Sequence, residues 1–89
     1  MDESQEIPGK RIGTVSSYFS NVEVAAIKLI GPLKVGDRIR IKGNTTDFEQ
    51  EVKSMQIERK KVEKAKKGDH IGIKVPDKVR PNDKVFLID

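Results

Sequence analysis

The 89-residue chain has no cysteine and no tryptophan, one histidine, and few aromatics: Tyr18, Phe19, Phe48 and Phe86. Without cysteine there is no disulfide framework, thiolate metal site or thiol nucleophile. A lone His70 removes the usual metal cages and the common nucleophile–base pairs. The 14 carboxylates are scattered, several of them beside Lys or Arg, and no acid/base dyad stands out. There is no G-x-x-x-x-G-K-[ST] run to cradle a nucleotide. No apolar run approaches the roughly 18 residues of a membrane span, and the acidic start Met1-Asp2-Glu3 is unlike a signal peptide. The expectations are a non-enzymatic, cytoplasmic protein with no cofactor, no metal and no membrane partner.

Charge is what the chain has in excess. It is 36% charged, with 18 basic and 14 acidic side chains, where about 25% is usual. Residues 1–8 carry Asp2, Glu3 and Glu6 and no basic residue, which predicts a flexible acidic tail ahead of a single domain over residues 9–89. Without that tail and Asp89, the remainder stands at +8. The densest basic segment holds Arg59, Lys60, Lys61, Lys64, Lys66 and Lys67, with only Glu63 opposing. A second set, Arg38, Arg40 and Lys42, is spaced by two and would share one face of a strand. Both sets are candidate contacts to a phosphate backbone through counterion release. The competing explanation is a solvated, lysine-rich surface of the thermophile kind. With so few aromatics, a broad stacking platform for bases is not expected.

Short β-type runs alternate with turn residues. Lys10 to Phe19 is rich in strand formers, and Ser20-Asn21 offers a two-residue connection to the apolar run Val22 to Ile30. The phase of that run slips at Ala25-Ala26, as at a bulge. Gly31-Pro32 and Gly36-Asp37 bracket a turn. The segments Arg38 to Lys42 and His70 to Val75 alternate cleanly, and Pro81-Asn82-Asp83 precedes a last run, Lys84 to Ile88. Gly13 and Gly72 suit bulges or close backbone approach. Val15, Ile39, Ile41, Val52, Ile71, Ile73, Val85 and Leu87 are the expected core. The pattern predicts a small, closed or partly open antiparallel β-barrel of about six strands. His70 beside Asp69 reads as a surface histidine, and Asn44-Thr45-Thr46 as a turn.

Residues 47–67 admit a second description. Phe48, Val52, Met55, Val62 and Ala65 fall at helical spacing, Thr46 and Glu49 match a capping box, and Gly68 could end a helix. A helix here would make the fold α+β. The alternative is a strand from Phe48 to Ile57 followed by a basic loop, which accounts better for Ile57.

Several segments together resemble a known family: Gly13-Thr14-Val15; Leu33-Lys34-Val35-Gly36-Asp37-Arg38-Ile39; Val52-Lys53-Ser54-Met55-Gln56; and Val62 through Ile73. Their order is similar to the second-domain β-barrel of the translation GTPases of the elongation factor Tu type, over residues 10 to 88. Similar barrels also occur in the C-terminal part of collagenase-like peptidases, where the catalytic groups would lie outside the barrel. The resemblance implies a strand over Phe48–Ile57 and no long helix. It transfers no tRNA-contacting residue to this sequence.

Two functions follow as expectations. The first is a free-standing module binding structured RNA (tRNA or rRNA) or a translation-related complex through Arg38, Arg40, Lys42, Arg59, Lys60, Lys61, Lys64, Lys66 and Lys67. The alternative is a protein-interaction barrel that docks on a larger enzyme or translation complex, with charge steering the encounter.

Overall fold

The computed structural model describes residues 10–88, which form ten β-strands and no helix. Residues 1–8, read above as an acidic tail, lie outside the described residues. Among the described residues no helix is long and apolar enough to cross a membrane. The strands are β1 (Lys10–Phe19), β2 (Val24–Leu29), β3 (Leu33–Lys34), β4 (Arg38–Lys42) and β5 (Asp47–Glu51), followed by β6 (Met55–Ile57), β7 (Lys60–Val62), β8 (Lys64–Ala65), β9 (His70–Lys74) and β10 (Lys84–Ile88). Eight of them make one antiparallel sheet in the order β5-β4-β10-β1-β2-β9-β6-β7, and β3 pairs separately with β8. The fold is all-β, a small and partly open barrel, as the alternation predicts. It uses more and shorter strands than the six expected.

The sheet curls because sequential strands sit at its opposite ends. β5 is one edge, β6 lies next to the other, and only Val52-Lys53-Ser54 joins them. Val52 is fully buried at this corner, and its backbone is pinned by bonds from its N–H to the Asp37 carbonyl and from the Gly36 N–H to its own carbonyl, both 2.8 Å. The Gln50 side chain donates to the Lys74 carbonyl at 2.9 Å, linking β5 to the end of β9. Inside lie Val15, Ile39, Ile41, Val52, Ile71, Ile73 and Val85, joined by Ile12, Ile27, Leu29, Leu33, Met55 and Val79, with Leu87 half-buried against them.

Three turns share one construction. In Lys34–Asp37, Lys66–Asp69 and Arg80–Asp83 the fourth residue's N–H donates to the first carbonyl at 3.1, 3.0 and 3.1 Å. The Asp carboxylate in turn accepts the first residue's N–H at 3.0, 3.0 and 2.9 Å. The third position is left-handed in each: Gly36 at φ 99°, Gly68 at 93° and Asn82 at 78°. This is the type II pattern, which needs Gly or Asn there. Each turn lies between a buried residue (Leu33, Ala65, Val79) and a buried strand residue two places past the Asp (Ile39, Ile71, Val85). The turns therefore set the phase with which β4, β9 and β10 enter the core.

Other local expectations are corrected. The helix considered over 47–67 is replaced by β5 to β8, because β5 pairs along its length with β4 and turns Asp47, Glu49 and Glu51 outward. Thr46 caps no helix; it is buried, and its carbonyl accepts the Gly43 N–H at 2.7 Å. β2 keeps its alternation, and the extra residue is Ser16 on β1, opposite the Ala26–Ile27 step, where its hydroxyl donates to the Ala26 carbonyl at 3.2 Å. The β1–β2 connection spans Ser20–Glu23, with Phe19 paired to Val24 and Glu23 at φ 58°. Gly13 is a close approach, since a Cβ there would lie 2.8 Å from Ile27 Cγ2 and 2.9 Å from the Lys28 carbonyl.

Candidate docking surfaces

Arg38, Arg40 and Lys42 project from the outer face of β4, because Ile39 and Ile41 fill the inner one. The same period-2 rule puts three carboxylates on the outer face of the adjoining β5. The register sets Arg38 opposite Glu51, Arg40 opposite Glu49 and Lys42 opposite Asp47. Arg40 donates to both Asp47 oxygens, at 2.8 and 3.0 Å, a bidentate geometry that is among the stronger polar contacts. Arg38 Nε lies 3.5 Å from Glu49 Oε1. The Arg40 bond holds the Asp47 carboxyl below its ordinary range against a smaller opposing effect of desolvation. The Asp47 bond raises the already high pKa of Arg40. The β4 set is therefore not the open cationic stripe that its spacing suggested.

The second set is differently placed. Arg59 shares a two-residue turn with Glu58, both left-handed at φ 68° and 54°. Lys60 and Lys61 lie on β7, Lys64 on β8, and Lys66 and Lys67 in the turn before β9. All six cations are exposed, and among the described residues none forms an ion pair. β7 is an edge of the sheet, and lysines there also discourage edge-to-edge pairing. The two sets meet in a groove of about 570 Å³ with Lys34, Arg38 and Lys64 around a floor of Leu33, Ala65 and Leu87.

Sequence reasoning missed a further hollow, of about 670 Å³, where the ends of β4 and β10 meet the Arg80–Asp83 turn. Lys42, Arg80, Lys84 and Phe86 line it. The alternation of Lys84-Val85-Phe86 already placed Lys84 and Phe86 on one face, but only the register shows which strand adjoins them. Large apolar side chains are exposed at Phe19 and Val22, by the tip of the β1–β2 hairpin, and at Ile30. His70 is exposed on β9 opposite Lys28. Among the described residues no three His, Asp or Glu side chains converge as a metal site would need.

No family model matches the chain. It is 49% identical over 78 residues to an uncharacterized protease of Methanocaldococcus jannaschii, covering 86% of this chain and 19% of that protein. It is 42% identical over 80 residues to a collagenase of Porphyromonas gingivalis, covering 88% of this chain and 22% of the collagenase. The chain thus spans about a fifth of the length of the curated relatives it matches. Two crystal structures of the C-terminal domain of a putative U32 peptidase from Geobacillus thermoleovorans share the fold. Their TM-scores are 0.83 and 0.84 at 18% and 15% identity, over 86% and 100% of this chain and 98% and 99% of theirs. These relatives are a protease and a collagenase, not elongation factors or RNA-binding proteins. The translation assignment, and the RNA-binding function expected with it, are corrected accordingly.

Proposed function

We propose that this barrel is a non-catalytic docking module that works with the catalytic portion of a U32-peptidase-like or collagenase-like enzyme. The supporting observation is the shape of the match: the relatives resemble nearly all of this chain, while the chain accounts for about a fifth of them. The structural neighbours that share the fold are themselves described as a C-terminal domain of such a peptidase. On this reading the bond-breaking groups belong to the other four fifths, and the barrel supplies a surface.

Six exposed cations from Arg59 to Lys67 suit that role by attracting an acidic partner surface, an effect on encounter more than on final affinity. The test is surface plasmon resonance of the 89-residue chain over the immobilised catalytic portion of the peptidase, at about 50 and 150 mM salt. Saturable binding is expected, with faster association at low salt because exposed charges are less screened. Hydrolysis of gelatin by the barrel alone, or no binding at either salt, would refute the proposal.

A further inference from the structure

The hollow between β4, β10 and the Arg80–Asp83 turn is lined by three cations, Lys42, Arg80 and Lys84, and by one carboxylate, Asp83. Lys42 and Lys84 stand directly opposite each other across the β4–β10 ladder, on its outer face. Like charges in that relation weaken a sheet. Arg80 lines the same hollow from the turn. Asp83 lines the hollow itself and Asp47 lies close by, near enough to Lys42 to feel its charge, but each carboxylate has a nearer hydrogen-bond partner. Asp47, across the other ladder from Lys42, is held in the bidentate pair with Arg40. Asp83 is buried and accepts the Arg80 backbone N–H at 2.9 Å. Among the described residues, Lys42, Arg80 and Lys84 form no ion pair.

The walls fit an organic anion better than an inorganic one. Half-buried Phe86 and exposed Pro81 supply apolar surface, and Asn44 supplies a polar lip. A hollow of about 670 Å³ falls within the roughly 300–1,000 Å³ of sites that enclose organic groups. The other basic groove is less suited, because its Lys34 and Arg38 already face Asp37 at 3.3 Å and Glu49 at 3.5 Å.

We propose that this hollow receives an acidic polypeptide segment, with side-chain carboxylates between Lys42 and Lys84 and beside Arg80, and aliphatic carbons against Phe86. The assignment rests on the docking function above, since it places the segment on the enzyme portion that the barrel serves. A carboxylate set between the two ammonium groups replaces one repulsion by two attractions. The free chain therefore carries a strain that the partner relieves.

The test is an NMR titration of the 89-residue chain with a capped hexaglutamate peptide, alongside hexaglutamine and inorganic phosphate. Saturable shifts are expected at the Gly43, Lys84 and Phe86 amides with hexaglutamate and not with hexaglutamine. Lys84→Gln is expected to weaken hexaglutamate binding about fivefold, the scale of one lost ion pair. The same variant should raise the urea midpoint of the free chain, which loss of a purely structural lysine would not do. Shifts centred on Arg59–Lys67, undiminished binding by Lys84→Gln, or phosphate binding as tightly at the same amides each overturn the assignment. Binding of hexaglutamate in the hollow, with no binding of the catalytic portion, upholds the hollow and overturns the docking function instead.

Discussion

The Arg80–Asp83 turn should be the most sensitive of the three related turns, and replacing each Asp by Ala measures this. All three carboxylates make the same bond, to the N–H three residues back. They differ in surroundings. Asp83 is only 5% exposed, and its carboxylate fills the space that a Cβ on Gly43 would occupy. Asp37 and Asp69 are more exposed. Removing an exposed side-chain hydrogen bond costs about 0.5–1.5 kcal/mol, because water replaces it. The Arg80 bond is part-buried where the other two are exposed, and leaving a donor without its acceptor away from water costs about 1–3 kcal/mol. Asp83→Ala is therefore expected to lose about 2–3 kcal/mol, and Asp37→Ala and Asp69→Ala about 1 kcal/mol each. With a urea slope of roughly 1 kcal/mol/M for so small a domain, the midpoint should fall by roughly 2–3 M and 1 M respectively. Asp83→Asn keeps an acceptor oxygen but not its charge, so it should fall between Asp83→Ala and the parent. Equal losses at all three positions, with unchanged slopes, would show that burial of Asp83 contributes nothing and that the argument is wrong.

Other consequences follow from the backbone and the β4–β5 ladder. Glu58→Asn with Arg59→Gly supplies the residues that a turn with two left-handed positions prefers. It should stabilise by about 1–2 kcal/mol and raise Tm by roughly 4–8 °C per kcal/mol, read by thermal denaturation. Gly13→Ala drives a Cβ into Ile27 and the Lys28 carbonyl and should cost about 1–3 kcal/mol by overpacking. Gly36→Ala meets open space and should cost only the left-handed backbone penalty, about 1 kcal/mol. The Asp47 carboxyl is held below its ordinary range by Arg40, so its contribution is complete above the unfolded value of about 3.9. It is lost as the pH falls through the folded value. Asp47→Asn should flatten that acid limb in urea titrations at pH 2 to 5, and an unchanged limb would remove the pair from the stability account.

Turn chemistry and strand alternation were the legible part of the sequence, because both are local. Gly36-Asp37, Gly68-Asp69 and Asn82-Asp83 announce turns whatever the surroundings, and Arg38 to Lys42 can bury only Ile39 and Ile41. The segment 47–67 was ambiguous for a physical reason. Phe48, Val52, Met55, Val62 and Ala65 all point inward, yet they do so from four strands and a corner rather than from one helix face. Short strands of two or three residues leave too few alternations to register as period 2. The phase slip at Ala25-Ala26 points to a bulge that belongs to Ser16, since a register shift seen from one strand does not say which partner carries the extra residue. The hollow at Lys42 and Lys84 was invisible because the two residues are 42 positions apart in sequence and become neighbours only when β10 pairs with β4.

That same pairing decides how much of the positive charge is available. Counted along the chain, Arg38, Arg40 and Lys42 are as basic as any segment. In the fold their outer face adjoins the acidic face of β5 on one side and Lys84 and Phe86 of β10 on the other. Arg38 and Arg40 are taken up by β5, whereas Lys42 is left facing a second lysine, its own opposite acid held by Arg40. Charge therefore migrates, in effect, from the middle of β4 to its end, and the usable surface becomes a compact hollow instead of a stripe. A stripe would suit a long regular polyanion, since it offers evenly spaced contacts along a backbone. A hollow with an aromatic wall suits a short segment that inserts its side chains, the geometry by which one protein anchors on another.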